Sequence, residues 1–181
     1  MVEVVEEGLL SRDIRDQSKY REFPEEEYDW ILNAVQDASD SVFDGHGEDL
    51  DGHIAEILSD YAFEHDGDSG RDQACKLWAP KFNHTVDFYH PEKRIAIEVE
   101  KTQQKRVSDD ILKFIKGGKT QHQYRQKIEF GCLVVPVNYG IRSDRSSTDN
   151  LFKEAMQNME FVRSVLHVED IAVIGYRIPA E

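Results

Sequence analysis

The sequence contains two cysteines, Cys75 and Cys132, which do not form a CxxC pair. Two thiols are too few for a disulfide scaffold or a zinc cluster. The seven histidines show neither the HxxxH nor the HExxH spacing of zinc sites. No apolar run approaches the roughly 20 residues of a membrane span, and the acidic start "MVEVVEEGLLSRD" lacks the basic residues of a signal peptide. We therefore expect a soluble, cytoplasmic protein with no membrane partner.

Positive charge is also scarce. The chain has 22 Lys and Arg against 36 Asp and Glu, a formal net charge of -14, which by itself argues against a nucleic-acid partner because phosphate binding needs positive surface. The shortage of positive charge is uneven along the chain. Residues 101–127 hold eight basic residues and two Asp, a net charge of +6, so the rest of the chain carries -20. This basic segment is either a solvated helix face or a phosphate-binding surface. The acidic excess serves solubility or reflects a salty habitat.

Internal repeats, low-complexity tracts and linkers are missing as well. With 181 residues, 39% of them hydrophobic and 10% aromatic, the chain fits one domain with a core of ordinary size. We expect residues 1–181 to form that single domain, with 1–22 as an N-terminal arm or lead-in element.

The spacing of apolar residues predicts four helices and four strands. The helices are expected at 23–43, 49–67, 107–118 and 148–166, and the strands at 81–89, 94–102, 129–140 and 170–179. The turn "HPEK" joins the first two strands into an antiparallel hairpin, and the last two read as strands buried on both faces. The order β-β-α-β-α-β behind two helices predicts an α/β fold, a central mixed sheet flanked by helices.

The hairpin "VDFYHPEKRIAIEVEKT" (86–102) carries acidic residues on an apolar background. Side chains alternate along a strand, so one face of the second strand holds Ile95, Ile97, Val99 and Lys101, and the other holds Arg94, Ala96, Glu98 and Glu100. A turn centred on Pro91 and Glu92 would set Asp87 opposite Ala96 and diagonal to Glu98, with roughly 7–8 Å between their backbones. Both carboxylates could then lean toward one cation.

Carboxylates gathered on one face repel one another unless a cation neutralises them. A set of oxygen ligands favours Mg²⁺, with Mn²⁺ as a possible substitute, over zinc. The alternative is an exposed sheet face whose acids pair with Arg94 or neighbouring lysines. The apolar residues on either side favour the metal site, because they indicate a central hairpin.

The pattern resembles the PD-(D/E)xK nuclease superfamily. "VDF", then "IAIEVEKT", "ILKFIKG" and "EFGCLVVPV" follow its order of strand, strand, helix and strand, over roughly residues 50–138. The Glu-x-Glu ending is similar to the BamHI/BglII-like type II restriction endonucleases, in which an acid replaces the usual lysine. The resemblance implies the restriction-endonuclease fold and a metal-dependent phosphodiester hydrolase.

The resemblance also implies roles for individual residues. Asp87, Glu98 and the Val99 carbonyl would hold the metal, with Glu56 of the preceding helix as an added ligand and Glu64 as a weaker rival. Glu100 would orient or deprotonate the attacking water, or bind a second metal. Strand alternation puts Lys101 on the other face, although a bulge at 99–101 would turn it into the site as a catalytic residue.

The partner implied is double-stranded DNA, cut by a homodimer because one small domain carries one site. The residues expected to bind nucleic acid follow the active-site strand: Lys101, Gln103, Gln104, Lys105, Arg106 and Lys113. Two other functions stay open. One is a structure-selective nuclease of repair or mobile elements with the same fold, and the other is a nucleic-acid-binding module that does not cut.

Overall fold

The computed structural model describes residues 2–16, 19–38, 40–43, 49–66, 75–79, 82–101, 106–120, 126–141 and 148–179. Its helices are α1 (Leu10–Asp13), α2 (Glu25–Asp37), α3 (Asp49–Ser59), α4 (Arg106–Lys119) and α5 (Leu151–Val162), with a 3-10 turn at Asp40–Phe43. Its strands are β1 (Glu3–Leu9), β2 (Glu64–His65), β3 (Lys76–Ala79), β4 (Phe82–Thr85), β5 (Phe88–His90), β6 (Ile95–Val99), β7 (Phe130–Pro136) and β8 (Asp170–Arg177). Within these residues, no helix has the length and apolarity needed to cross a membrane.

A six-stranded mixed sheet runs through the molecule in the order β1-β8-β7-β6-β5-β2. Strands β6, β7 and β8 are parallel to one another, whereas β1, β5 and β2 are each antiparallel to their neighbour. The connections from β6 to β7 and from β7 to β8 pass through α4 and α5, as parallel neighbours require. The predicted mixed sheet flanked by helices is confirmed.

Helices cover both faces of this sheet. Ile31 of α2 and Ile54 of α3 share one apolar cluster with Ile95 and Ile97 of β6. Phe114 of α4 and residues of α5 share a second cluster with the opposite face of the sheet. Because both faces are covered, all seven residues of β7 are buried, which explains the continuous apolar sequence of that strand.

The hairpin differs from its predicted form in two ways. The incoming strand breaks at Asp87: β4 pairs with β3 in a separate two-stranded sheet, and only β5 pairs with β6. The register is also shifted by two residues, with Tyr89 rather than Asp87 opposite Ala96. The cause is the turn, in which Arg94 adopts a left-handed backbone (φ 57°) and donates its N–H to the His90 carbonyl. The extra turn residues carry Asp87 to the end of β6, next to Glu98.

The N-terminal residues form the edge of the sheet and a short helix. Strand β1 pairs antiparallel with β8. The segment after it is fixed by the buried carboxylate of Asp170, which accepts hydrogen bonds from the Ser11 hydroxyl (2.6 Å) and the Phe23 N–H (2.9 Å). Ser11 and Phe23 of the lead-in segment are thus hydrogen-bonded to Asp170, the first residue of β8.

Candidate active site

Asp87 lies in the bend between β4 and β5, beside the C-terminal end of β6. Its Oδ2 accepts a hydrogen bond from the Val99 N–H at 2.7 Å, so the side chain takes the place of a strand partner where the ladder ends. Burial raises the pKa of the half-buried Asp87 carboxyl, and this hydrogen bond together with nearby Lys113 and Lys101 opposes the rise. The bend therefore directs one carboxylate to the C-terminal end of β6.

Glu98 is the most buried acid of the group, with 2% of its surface exposed. Its Oε2 contacts the Lys113 ammonium at 2.6 Å, and its Oε1 is buried without a hydrogen-bond partner in the described part of the chain. Burial raises the pKa of Glu98 well above its usual value, and the charges of Asp87 and Asp110 add to the rise. An unpartnered carboxylate oxygen in such a setting is costly unless a cation joins it.

Glu100 and Lys101 point to different neighbours. Glu100 is buried; its Oε1 accepts a hydrogen bond from the Lys101 N–H at 3.0 Å, and its backbone carbonyl accepts one from the Tyr176 hydroxyl at 3.0 Å. The Lys101 ammonium pairs with Asp51 of α3, whereas Glu98 pairs with α4. Glu98 and Lys101 thus pair with different helices, as strand alternation predicts, while the charge of Lys101 also acts on Asp87.

On helix α3, the acid that lies near Asp87 is Asp51 rather than the predicted Glu56. Glu56 is exposed, and it lies about 140° around the helix from Asp51. Burial raises the pKa of Asp51 to about 6, and the charge of Asp87 adds to the rise. The sequence carried a sign of this, because Asp51 flanks the helical stripe of Leu50, Ile54 and Leu58 whereas Glu56 is opposite to it.

Glu64, the weaker rival, is half-buried on β2, where its backbone pairs with Tyr89 of β5. Arg106 is exposed at the first residue of α4. Gln103, Gln104 and Lys105 lie outside the described residues.

Helix α4 brings two charged residues that complete the cluster. Asp110 is 3% exposed and interrupts the apolar stripe of Val107, Ile111 and Phe114. One turn later, the Lys113 ammonium lies 3.1 Å from Asp110 Oδ1. Burial raises the pKa of Asp110 to about 6, opposed by Lys113. The prediction that Lys113 binds nucleic acid stays a prediction, and the sequence analysis did not single out Asp110, although an acid within an apolar stripe is a recognisable feature.

The cluster offers a cation oxygen donors, which suit Mg²⁺ or Mn²⁺. One oxygen of Glu98 and one of Asp51 are buried without a hydrogen-bond partner among the described residues, and Asp87 acts electrostatically on both acids. In that same part of the chain, no three acidic, His or Cys side chains already enclose a metal position. In place of a metal, Lys101 pairs with Asp51 and Lys113 pairs with Glu98. The carboxylate oxygens suit a divalent ion, which would compete with these two ion pairs.

Comparisons with known proteins give the chain a fold and a family. No curated protein sequence matches the chain. The crystal structure of the restriction endonuclease BglII complexed with a DNA 16-mer matches with a TM-score of 0.61 at 9% identity, over 94% of this chain and 76% of the other. The two proteins thus share the restriction-endonuclease fold that the sequence pattern implied. A family model described as "Putative halobacteria restriction endonuclease" matches residues 4–176, nearly the whole chain, and the chain belongs to that family of restriction endonucleases.

Proposed function

We propose that this protein is a Mg²⁺-dependent endonuclease that cuts double-stranded DNA. The observation that carries the proposal is the unpartnered Oε1 of Glu98, buried beside Asp87 at the end of β6 in a chain of a restriction-endonuclease family. A buried anion of this kind supports a bound cation, and oxygen ligands favour Mg²⁺ or Mn²⁺.

In this proposal Asp87, Glu98 and the Val99 carbonyl hold the metal, with Asp51 in the place expected for Glu56. A divalent ion held by these residues would supply polarisation of the scissile phosphate and a lower pKa for a water molecule. Glu100, two residues along the same strand face, orients that water and accepts its proton. The water oxygen bonds to phosphorus as the phosphodiester P–O bond breaks, and the departing oxygen takes a proton from solvent.

The proposal includes a homodimer on DNA. One chain carries one cluster, and cutting both strands of a duplex in one encounter needs two clusters related by a twofold axis. The phosphates would approach at the C-terminal ends of the parallel strands, where Arg106 begins α4. The solved relative BglII binds a DNA 16-mer, which supports double-stranded DNA as the partner.

Plasmid cleavage with Mg²⁺, with Mn²⁺, and with EDTA tests this function. We expect wild-type protein to produce discrete linear fragments, and Glu98→Ala to cut about 100-fold more slowly or worse because the metal loses its most buried ligand. The matched control is Glu160→Ala, which removes an exposed acid from α5 and should cut like the wild type. Comparing Asp51→Ala with Glu56→Ala then decides which acid of α3 belongs to the site.

The products discriminate among the alternatives. Linear DNA formed without a build-up of nicked circles supports a dimer that cuts both strands. Diffuse nicking would instead support a structure-selective nuclease, and DNA binding without cutting would support a non-catalytic module. Full activity of Glu98→Ala would show that the site has been assigned wrongly.

A further inference from the structure

We propose that a groove beside the candidate active site binds one nucleotide of the DNA, unstacked from its neighbours; the inference rests on the proposed nuclease function. The groove has a volume of about 560 Å³ and lies between the ends of β7 and β8 and the edge strand β1. Its apolar walls include Val137, Ile141 and Ile178, and its charged residues are Glu6 and Arg177. Sites for small organic molecules typically have volumes of roughly 300–1,000 Å³ and combine apolar walls with a few polar groups.

The groove lies at the edge of the sheet where β6 ends. Strands β6, β7 and β8 are parallel, so their C-terminal ends share this edge, and β8 lies two strands, roughly 10 Å, from β6. One nucleotide advances roughly 3.4 Å along the axis of a duplex. A duplex whose scissile phosphate lies at Glu98 would therefore bring a nucleotide about two to four positions away to the groove. The residue before Arg177, Tyr176, donates its hydroxyl hydrogen to the Glu100 carbonyl at 3.0 Å, so the groove and the active-site strand are in contact.

A β-bulge in β1 turns Glu6 toward the groove. The register of β1 with β8 shifts between Val4 and Glu6, which makes Val5 an extra residue in the strand. Residues two apart on a regular strand share a face. Here Val4 packs against the apolar cluster of α2 and α3, whereas Glu6 Oε1 accepts a hydrogen bond from Asn150 Nδ2 at 2.8 Å, at the start of α5. Bulges often redirect a side chain next to a functional site, and this one directs a carboxylate to the groove.

The charged groups of the groove suit the two ends of a nucleotide. Asn150 engages one carboxylate oxygen of Glu6, and the other can accept a hydrogen bond from the amino group of adenine, cytosine or guanine. Thymine presents an acceptor in place of an amino group, which a carboxylate repels. Arg177 Nε lies 3.4 Å from Glu3 Oε2, and both side chains are more than half exposed. Such a pair is weak, so a phosphate can compete with Glu3 for the guanidinium.

The groove is formed before anything binds. Asn138 connects the ends of β7 and β8, because its Oδ1 accepts from the Ile178 N–H at 2.8 Å and its Nδ2 donates to the Ile178 carbonyl at 2.7 Å. A Cβ on Gly175 would lie 2.9 Å from Val137 Cγ1 and 3.1 Å from Glu6 Cβ, so glycine lets these two residues approach. A base that is stacked and paired cannot enter a fixed concave groove. The nucleotide therefore has to leave the helix, as it does in enzymes that act on single bases.

Cleavage of a randomised duplex library in Mg²⁺, followed by sequencing of the ends, tests the base contact. We expect the wild type to cut about tenfold less often where thymine occupies one position, about two to four nucleotides from the cut. Glu6→Gln should accept thymine at that position, because an amide donates as well as accepts, and should keep the other preferences. The matched control is Glu160→Gln, which neutralises an exposed acid of α5 and should cut like the wild type. A Glu6→Gln protein with wild-type preferences would overturn the inference.

DNA affinity in Ca²⁺ tests the phosphate contact. Fluorescence anisotropy with a short duplex of randomised sequence gives the affinity over a range of KCl concentrations. Arg177→Ala should lower the slope of log affinity against log salt by about 0.9, the value for one phosphate contact. Arg163→Ala, which removes an exposed arginine at the far end of α5, should keep the wild-type slope. An unchanged slope in Arg177→Ala, or equal changes in both variants, would overturn the inference.

Two further probes distinguish an unstacked nucleotide of the DNA from a free nucleotide. A mismatch at the position mapped by sequencing should tighten binding about tenfold, because the energy of unpairing has already been spent. Equal affinity for matched and mismatched duplexes would overturn the unstacking. Calorimetric titration with deoxyguanosine monophosphate tests the other source: tight binding of this nucleotide, with DNA binding unaffected by Arg177→Ala, would overturn a contact with DNA. A wild-type protein that cuts nothing would refute the proposed function instead, and the salt slopes, which need no cutting, would still decide the inference.

Discussion

In the folded chain, the surroundings of the Asp51 carboxyl favour its neutral form. Burial raises its pKa from 3.8 to about 6 even though Lys101 pairs with it. The folded protein therefore binds this proton more tightly than the unfolded chain does. The contribution of Asp51 to stability is fully present below about pH 4, falls as the pH rises from 4 to 6, and stays low above that range.

Replacing Asp51 by Asn should accordingly stabilise the metal-free protein at pH 7.5. The gain expected is about 1–3 kcal/mol, since two units of pKa correspond to roughly that free energy, and it should vanish at pH 4. Urea denaturation in EDTA at both pH values measures it. Glu56→Gln, an exposed acid of the same helix, should change stability by less than about 0.5 kcal/mol. A less stable Asp51→Asn protein at pH 7.5 would show that the Lys101 ion pair outweighs burial.

Strand alternation could be applied to the candidate site residues from the sequence, because it depends only on neighbouring positions. It assigned Glu98 and Glu100 to one side of β6 and Lys101 to the other, as the structure has them. The pairing register was wrong because it depends on the left-handed Arg94, a conformation that a non-glycine residue seldom adopts. Lys113 could not be matched to Glu98, since which residue of α4 faces β6 depends on how the helix packs.

Helix α4 must lie close to its neighbours for Lys113 to reach Glu98, and two glycines near its end permit this. A Cβ on Gly118 would lie 2.9 Å from the backbone carbon and oxygen of His167, closer than real Cβ contacts allow. Backbone atoms cannot turn aside as a flexible side chain can. The last turn of α4 is therefore held at a separation that only glycine accommodates.

Gly118→Ala should destabilise the protein by about 1–3 kcal/mol through overpacking, and it should also lower cleavage activity by shifting α4. The same substitution at Gly52 of α3 should have the opposite sign. A Cβ there meets nothing within 4 Å, and alanine favours a helix over glycine by up to about 1 kcal/mol. Thermal and urea denaturation of the two variants measure this contrast. Equal effects at both positions would show that helix propensity, not the contact with His167, governs Gly118.

At the scale of the whole molecule, the surface is acidic, whereas the candidate site contains two lysines paired with carboxylates. Two lysines, Lys101 and Lys113, are directed inward to carboxylates, so they do little to offset the acidic surface. With a net charge of -14, the folded chain repels both itself and DNA at low ionic strength. Its restriction-endonuclease family is described as halobacterial, which agrees with a surface suited to high salt.

We therefore expect KCl to raise the thermal unfolding midpoint of this protein. Screening shortens the range of charge repulsion from about 10 Å at 0.1 M salt to about 3 Å at 1 M, so most of the rise should occur below about 1 M. Differential scanning fluorimetry from about 0.05 M to about 3 M KCl, which spans this range of screening, measures the curve. A variant in which three exposed acids of α2 are changed to their neutral amides, by Glu25→Gln, Glu26→Gln and Asp29→Asn, should show a smaller rise. A midpoint that climbs evenly to the highest salt in both proteins would mean that exclusion of salt from the surface, rather than screening of the acidic charge, stabilises the fold.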